Sequence, residues 1–274
     1  MGADMSTLSS LISGGGGALP QIFLTQSQTW VPPQDGNVCI HVIGAGSGGA
    51  YSTSASRINS GGAGGYCKKN SLAVTTGGSF TVVVGVGGAG RVGAYGVGPA
   101  GGASTVAGTG LSSTLTANGG GQTGDPYSSS TQGPGGTAAN GDVNNTGGAG
   151  LYNAGGGAVG IYGTGATGST YHRAGQTDAR GGGLQNSGFG HICGGIAGRL
   201  SGGYLNPSSM QGTSGGGDLC GGGQVYINNN SLIQYGGDAG IGGGGGGIRV
   251  SALVNYAGGG NGGDGIVIIQ YLPS

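Results

Sequence analysis

The chain has 274 residues, 78 of them glycine, and its eight basic and eight acidic side chains leave no net charge. Eight prolines and the lack of a Gly-X-Y phase exclude a collagen triple helix. A charged fraction of 6%, with no glutamate, offers neither the basic face of a nucleic-acid binder nor the clustered carboxylates of a calcium or acid–base site.

Glycine is concentrated: residues 44–265 hold 72 of the 78. Leu, Ile, Val and Phe together number only 50, a fraction that signals disorder when it accompanies high net charge. Here the net charge is zero. The first thirteen residues lack a basic start and a long apolar stretch, and no apolar run reaches the length of a membrane span. A chain made in a reducing cytosol without membrane insertion is expected, with Cys39, Cys67, Cys193 and Cys220 as free thiols.

In chain order, Met5 to Ile12 places Leu8, Leu11 and Ile12 at helical spacing and supports two turns at most before Gly14 to Gly17 ends them. Residues 1–20 therefore read as an N-terminal arm, and 21–274 as a single domain. Short β-like runs follow at Gln21 to Leu24, Gln28 to Val31 and Val38 to Ile43, punctuated by Pro32-Pro33 and Asp35-Gly36. Ser79 to Val84 is a strand with Phe80, Val82 and Val84 on one face. Late in the chain, Gln224 to Ile227, Ser231 to Tyr235, Ile248 to Val254 and Ile266 to Tyr271 carry the same character.

Between the early and late strands, glycine islands alternate with polar segments of about five to eleven residues. A structureless stretch of that length does not fit a compact domain. Ordering each glycine costs about 0.5–1 kcal/mol more than ordering an alanine, so the backbone itself must supply the compensating contacts. Polyproline II helices, with three residues per turn and no internal hydrogen bonds, allow bare backbones to approach and bond to one another. The expected fold is all-β, with sandwich-like sheets from the N- and C-terminal strands combined with a glycine-rich polyproline II bundle and almost no α-helix.

Several stretches have a recognisable order. Thr29-Trp30-Val31-Pro32-Pro33 and Asn37 to Gly46 come first, then Gly61 to Tyr66, Ser79 to Gly90 and Gly101 to Thr105, and finally Gly262 to Tyr271. Together they resemble the glycine-rich domains of bacteriophage tail-fibre proteins, across about Gln28 to Tyr271. The resemblance implies a non-enzymatic virion protein: a tail-fibre or adhesin module, homotrimeric, whose loops recognise a host-surface protein or glycan. The alternative within the same resemblance is a structural virion component that binds copies of itself and neighbouring virion proteins. It carries no catalytic residues and no cofactor.

Other motifs have plainer explanations. Gly44 to Gly49 matches G-x-G-x-x-G, but no helix pattern follows and no acidic residue stands about 20 positions on. Gly259 to Val267 matches a calcium-binding nonapeptide in one copy, where successive copies are required. Cys39 with His41, and His191 with Cys193, are pairs at i and i+2 that would make a zinc set only if brought together. No nucleophile elbow supports hydrolase chemistry.

The residues best suited to recognition are tyrosines on glycine-poor segments, because tyrosine offers a rigid surface with a polar tip. The candidates are Tyr127, then Tyr171 with His172 and Arg173, and Tyr204 with Asn206.

Overall fold

A computed structural model describes residues 21–52, 59–92, 96–124, 133–150, 155–159, 163–165, 167, 225–226, 233–236, 238–245, 248–249 and 256–273. The expected N-terminal arm, 1–20, and its short helix lie outside these residues.

The strands are β1 (Gln21–Leu24), β2 (Gln28–Trp30), β3 (Gly36–Ile43), β4 (Tyr51–Ser52), β5 (Tyr66–Val74), β6 (Phe80–Val83), β7 (Ser104–Gly108) and β8 (Leu115–Ala117). After them come β9 (Ala138–Ala139), β10 (Val143–Asn145), β11 (Val225–Tyr226), β12 (Ile233–Gly236), β13 (Ile248–Arg249), β14 (Tyr256–Gly258) and β15 (Ile266–Tyr271). The described residues contain no helix and are all-β.

Two five-stranded antiparallel sheets dominate, ordered β1-β15-β3-β5-β10 and β2-β6-β7-β8-β9. β11-β12-β14 and β13-β4 form smaller sheets. The two large sheets share one core: Val38, Ile40, Val42, Leu72, Val74, Val267 and Ile269 from the first meet Trp30, Phe80, Val82, Val106 and Leu115 from the second. Trp30 and Phe80 stack with ring centroids 5.2 Å apart. The period of two is explicit in β6, where Phe80 and Val82 are buried while Thr81 and Val83 face outward.

The late strands contribute less to this sandwich than expected, since β15 is the one late strand in it. Its middle strands, β5 and β7 to β10, are not apparent in the sequence. β5 begins Tyr-Cys-Lys-Lys-Asn, too polar to read as a strand; it is a central strand because β3 pairs with one of its edges and β10 with the other.

Each strand of the sandwich's inner part runs directly into glycine. β3 continues as 44–50, β6 as 85–91 and β8 as 118–124, while 59–65, 96–102, 133–137 and 259–265 lead into β5, β7, β9 and β15. The hydrogen bonding then changes its period from two to three. The N–H groups of Gly44, Ser47 and Ala50 donate to the carbonyls of Gly65, Gly62 and Asn59. Those of Ala45, Gly48 and Tyr51 donate to Gly102, Pro99 and Gly96, and those of Gly46 and Gly49 to Gly263 and Gly260. Segment 44–50 therefore donates to three different segments. It also accepts from three others, through the N–H groups of Gly88, Gly120 and Gly245.

Steric fit explains the residue type. A Cβ on Gly46 would collide with the Gly243 carbonyl, one on Gly61 with the Ser47 carbonyl and one on Gly98 with the Gly48 carbonyl. Where a neighbouring carbonyl does not reach, a buried hydroxyl substitutes: Ser47 Oγ accepts from Gly62 N at 2.8 Å, Ser104 Oγ from Gly85 N at 2.9 Å, and Thr123 Oγ1 from Gly98 N at 2.6 Å.

Candidate functional site

The topology gives the molecule two unlike ends. At the sheet end, short turns join β5 to β6 (75–79), β7 to β8 (109–114) and β9 to β10 (140–142). Gly77 (φ 88°), Gly110 (φ 82°) and Asn140 (φ 67°) supply the left-handed backbone that these turns need. At the opposite end the described glycine segments stop; the residues that follow them in sequence, 53–58, 93–95, 125–132 and 151–154, lie outside the described residues.

The described part of that far end is tied together firmly. Tyr51, buried, exchanges backbone hydrogen bonds with Gly96 at 3.1 and 3.2 Å. Asn59 accepts from Ala50 N through its carbonyl and donates from Nδ2 to the Gly124 carbonyl at 3.3 Å. Thr123 N donates to Gly98 O. Four segments are thus pinned together at this end. Sequence reading does not single out Tyr51, Asn59 or Thr123; nothing separates them from other polar residues until the pairing of segments is known.

Of the sequence candidates, Tyr127 falls in 125–132, whose flanking residues Gly124 and Gly133 stand at this end. Tyr171, His172, Arg173, Tyr204 and Asn206 fall within 168–224. All six lie outside the described residues.

The second place with concentrated chemistry is the outer face of the first sheet. Cys39 and His41 do share that face, both buried, with Cys39 Sγ 3.3 Å from His41 Nε2 and His41 Nδ1 2.7 Å from Tyr66 Oη. Either tautomer of a neutral imidazole satisfies both contacts. Burial, reinforced by the Lys68 charge, holds the His41 pKa down to about 3, and burial raises the Cys39 thiol. A nucleophilic cysteine needs the opposite shift, toward thiolate, so this trio acts as a buried polar pin between β3 and β5. Cys67, on the core face, is pushed up to about 11 by burial and donates to the Ala139 carbonyl. His191 and Cys193 lie outside the described residues, and no group of three or more metal-ligating side chains occurs among the described ones.

The two glycine motifs are absorbed into the layer. Every N–H from Gly44 to Ala50 is committed to a neighbouring carbonyl, leaving none to cradle a phosphate. In the nonapeptide, Asp264 Oδ1 accepts from Gly87 N at 2.7 Å and Asn261 Oδ1 from Gly90 N at 2.8 Å. Their spacing of three matches the layer's period, so the motif serves hydrogen bonding between segments.

Residues 23–272 match the family described as a glycine-rich domain. The chain belongs to this glycine-rich domain family. No curated protein matches it. The match runs from within β1 to just past β15, so it takes in both the sandwich and the glycine layer.

Proposed function

We propose that the protein is a non-enzymatic bacteriophage virion component, a tail-fibre or adhesin module that recognises a host-surface protein or glycan through loops carried on its glycine-rich layer. In this reading the layer is a bundle of polyproline II helices. The three-residue hydrogen-bond period, the bonds running between segments, and the confinement of positive φ in the layer to Gly242 among its described glycines all support it. The observation that carries the functional reading is the polarity of the molecule: short turns at the sheet end and, at the other, pinned glycine segments that lead in sequence into polar segments such as 125–132. Tyr127, in one of those segments, and Tyr171, His172, Arg173, Tyr204 and Asn206 are the proposed contacts.

Adsorption tests this directly. Purified protein is expected to bind susceptible cells and to block infection, with Tyr127→Ala or Tyr171→Ala weakening both. Failure of the folded protein to bind whole cells would overturn receptor recognition and favour a purely structural virion role. That second reading draws on the exposed, uncharged residues Val86 and Ala89 along the side of the layer, a surface suited to neighbouring protein.

A further inference from the structure

Segment 85–91 lies on the outside of the glycine layer, and its burial has a period of three. Gly85 and Gly88 are buried, Gly87 and Gly90 intermediate, and Val86, Ala89 and Val92 exposed, with the long side chain of Arg91 also exposed at the segment's end. Val86 is 72% exposed and Val92 59%. The hydrogen bonding has the same period. Gly85 N has Ser104 Oγ, Gly87 N has Asp264 Oδ1, Gly88 N has Gly46 O, Gly90 N has Asn261 Oδ1 and Arg91 N has Gly49 O. Among the described residues the N–H groups of Val86 and Ala89 have no acceptor, whereas segment 44–50, inside the layer, has all of its N–H groups paired.

We propose that this ridge is a self-association edge, on which the Val86 and Ala89 N–H groups receive a row of carbonyls from a glycine segment of a second copy of this chain. It is the counterpart in a three-residue lattice of the unpaired edge of a β-sheet, which presents its donors as a template. The donors stand about 9 Å apart if the segment rises about 3.1 Å per residue. Only a backbone with the same three-residue repeat brings acceptors into that register, and this chain carries such backbone throughout its layer. The ridge side chains Val86, Ala89 and Val92 are uncharged and exposed, flanked by Arg91 and by the Asp264 carboxylate on Gly87 N, so the ridge itself presents apolar side chains with charge at its margins. The inference specifies a surface for the self-association that the tail-fibre resemblance implies and is independent of host attachment.

The test replaces donors without disturbing the backbone. Val86→Pro with Ala89→Pro removes both N–H groups while keeping a φ that polyproline II requires, and each new proline follows a glycine. The full chain is expected to have a native mass above the 25.6 kDa of one copy, and the double variant to fall to a single copy with unchanged circular dichroism. If the prolines prevent folding, Ala89→Lys, which keeps the N–H but places a charge in the contact, is expected to give the same dissociation. A wild-type chain that remains at one copy up to its solubility limit overturns the proposal. So does a folded variant that retains the wild-type mass. Neither measurement involves a host cell, so loss of adsorption and loss of self-association are read separately.

Discussion

The sandwich and the glycine layer are made by the same strands, yet they are held together by opposite means. In the sandwich, Phe80, Val82, Val106 and Leu115 meet Val38, Ile40 and Val42, and side chains fill the space between two sheets. In the layer, a Cβ on Gly44, Gly46 or Gly48 would collide with a neighbouring carbonyl, and successive N–H groups reach different neighbours in rotation. A sheet bonds to two neighbours in one plane, whereas a three-residue period sends bonds in three directions, so the layer packs in depth by backbone alone. The two regions should therefore respond oppositely to changes in side-chain size.

The largest effect is expected from adding bulk to the layer. Gly46→Val would drive a branched side chain into the Gly243 backbone and should cost at least about 5 kcal/mol, enough to prevent folding. The matching deletion in the sandwich, Phe80→Ala, removes the ring stacked on Trp30 and should cost about 3–5 kcal/mol. Urea unfolding of both variants checks the contrast. A Gly46→Val chain as stable as wild type would show that the layer has a void there.

A second effect comes from pH. The folded His41 pKa of about 3 lies below its ordinary 6.5, so the folded state resists protonation more than the unfolded state does. The stability this gives is complete above pH 6.5 and is lost as pH falls toward 3, at up to about 1.4 kcal/mol per pH unit. Asp35, held low by the Thr76 N–H, and Asp142, held low by Lys69, add losses only in the carboxylate range. A His41→Gln variant should flatten the profile between pH 6.5 and that range. An unchanged slope would assign the loss to other groups.

The smallest effects distinguish glycines from one another. Gly77 has open space around its α-carbon but a φ of 88°, so Gly77→Ala should cost about 1–2 kcal/mol through backbone strain alone. Gly163 has open space and no such φ, and Gly163→Ala should be neutral or stabilise by about 0.4–1 kcal/mol through the unfolded state. Thermal melts of the pair would reveal whether φ, rather than glycine content as such, sets the cost at exposed positions.

The alternation of Phe80, Val82 and Val84 and the β-branched run Ile266 to Tyr271 were legible because each strand carries its own pattern. β5 was not, since Lys68, Lys69 and Asn70 interrupt it. Lys69 and the Asn70 N–H are instead satisfied by Asp142, 73 and 72 residues along the chain. β9, with two residues, has no pattern to read. The tyrosine-bearing segments were recognisable as glycine-poor, while the pinning of the far end by Tyr51 and Asn59 depends on partners in other segments.

The sequence alone determined that strands stand early and late in the chain, and that ordering so much glycine required backbone contacts in addition to side-chain packing. Which glycines are essential was decided only by the tertiary structure. Gly46, Gly77 and Gly163 are identical as residues and sit in similar glycine-rich stretches. They differ in what approaches the α-carbon and in which direction the backbone turns, and both are properties of the assembled fold.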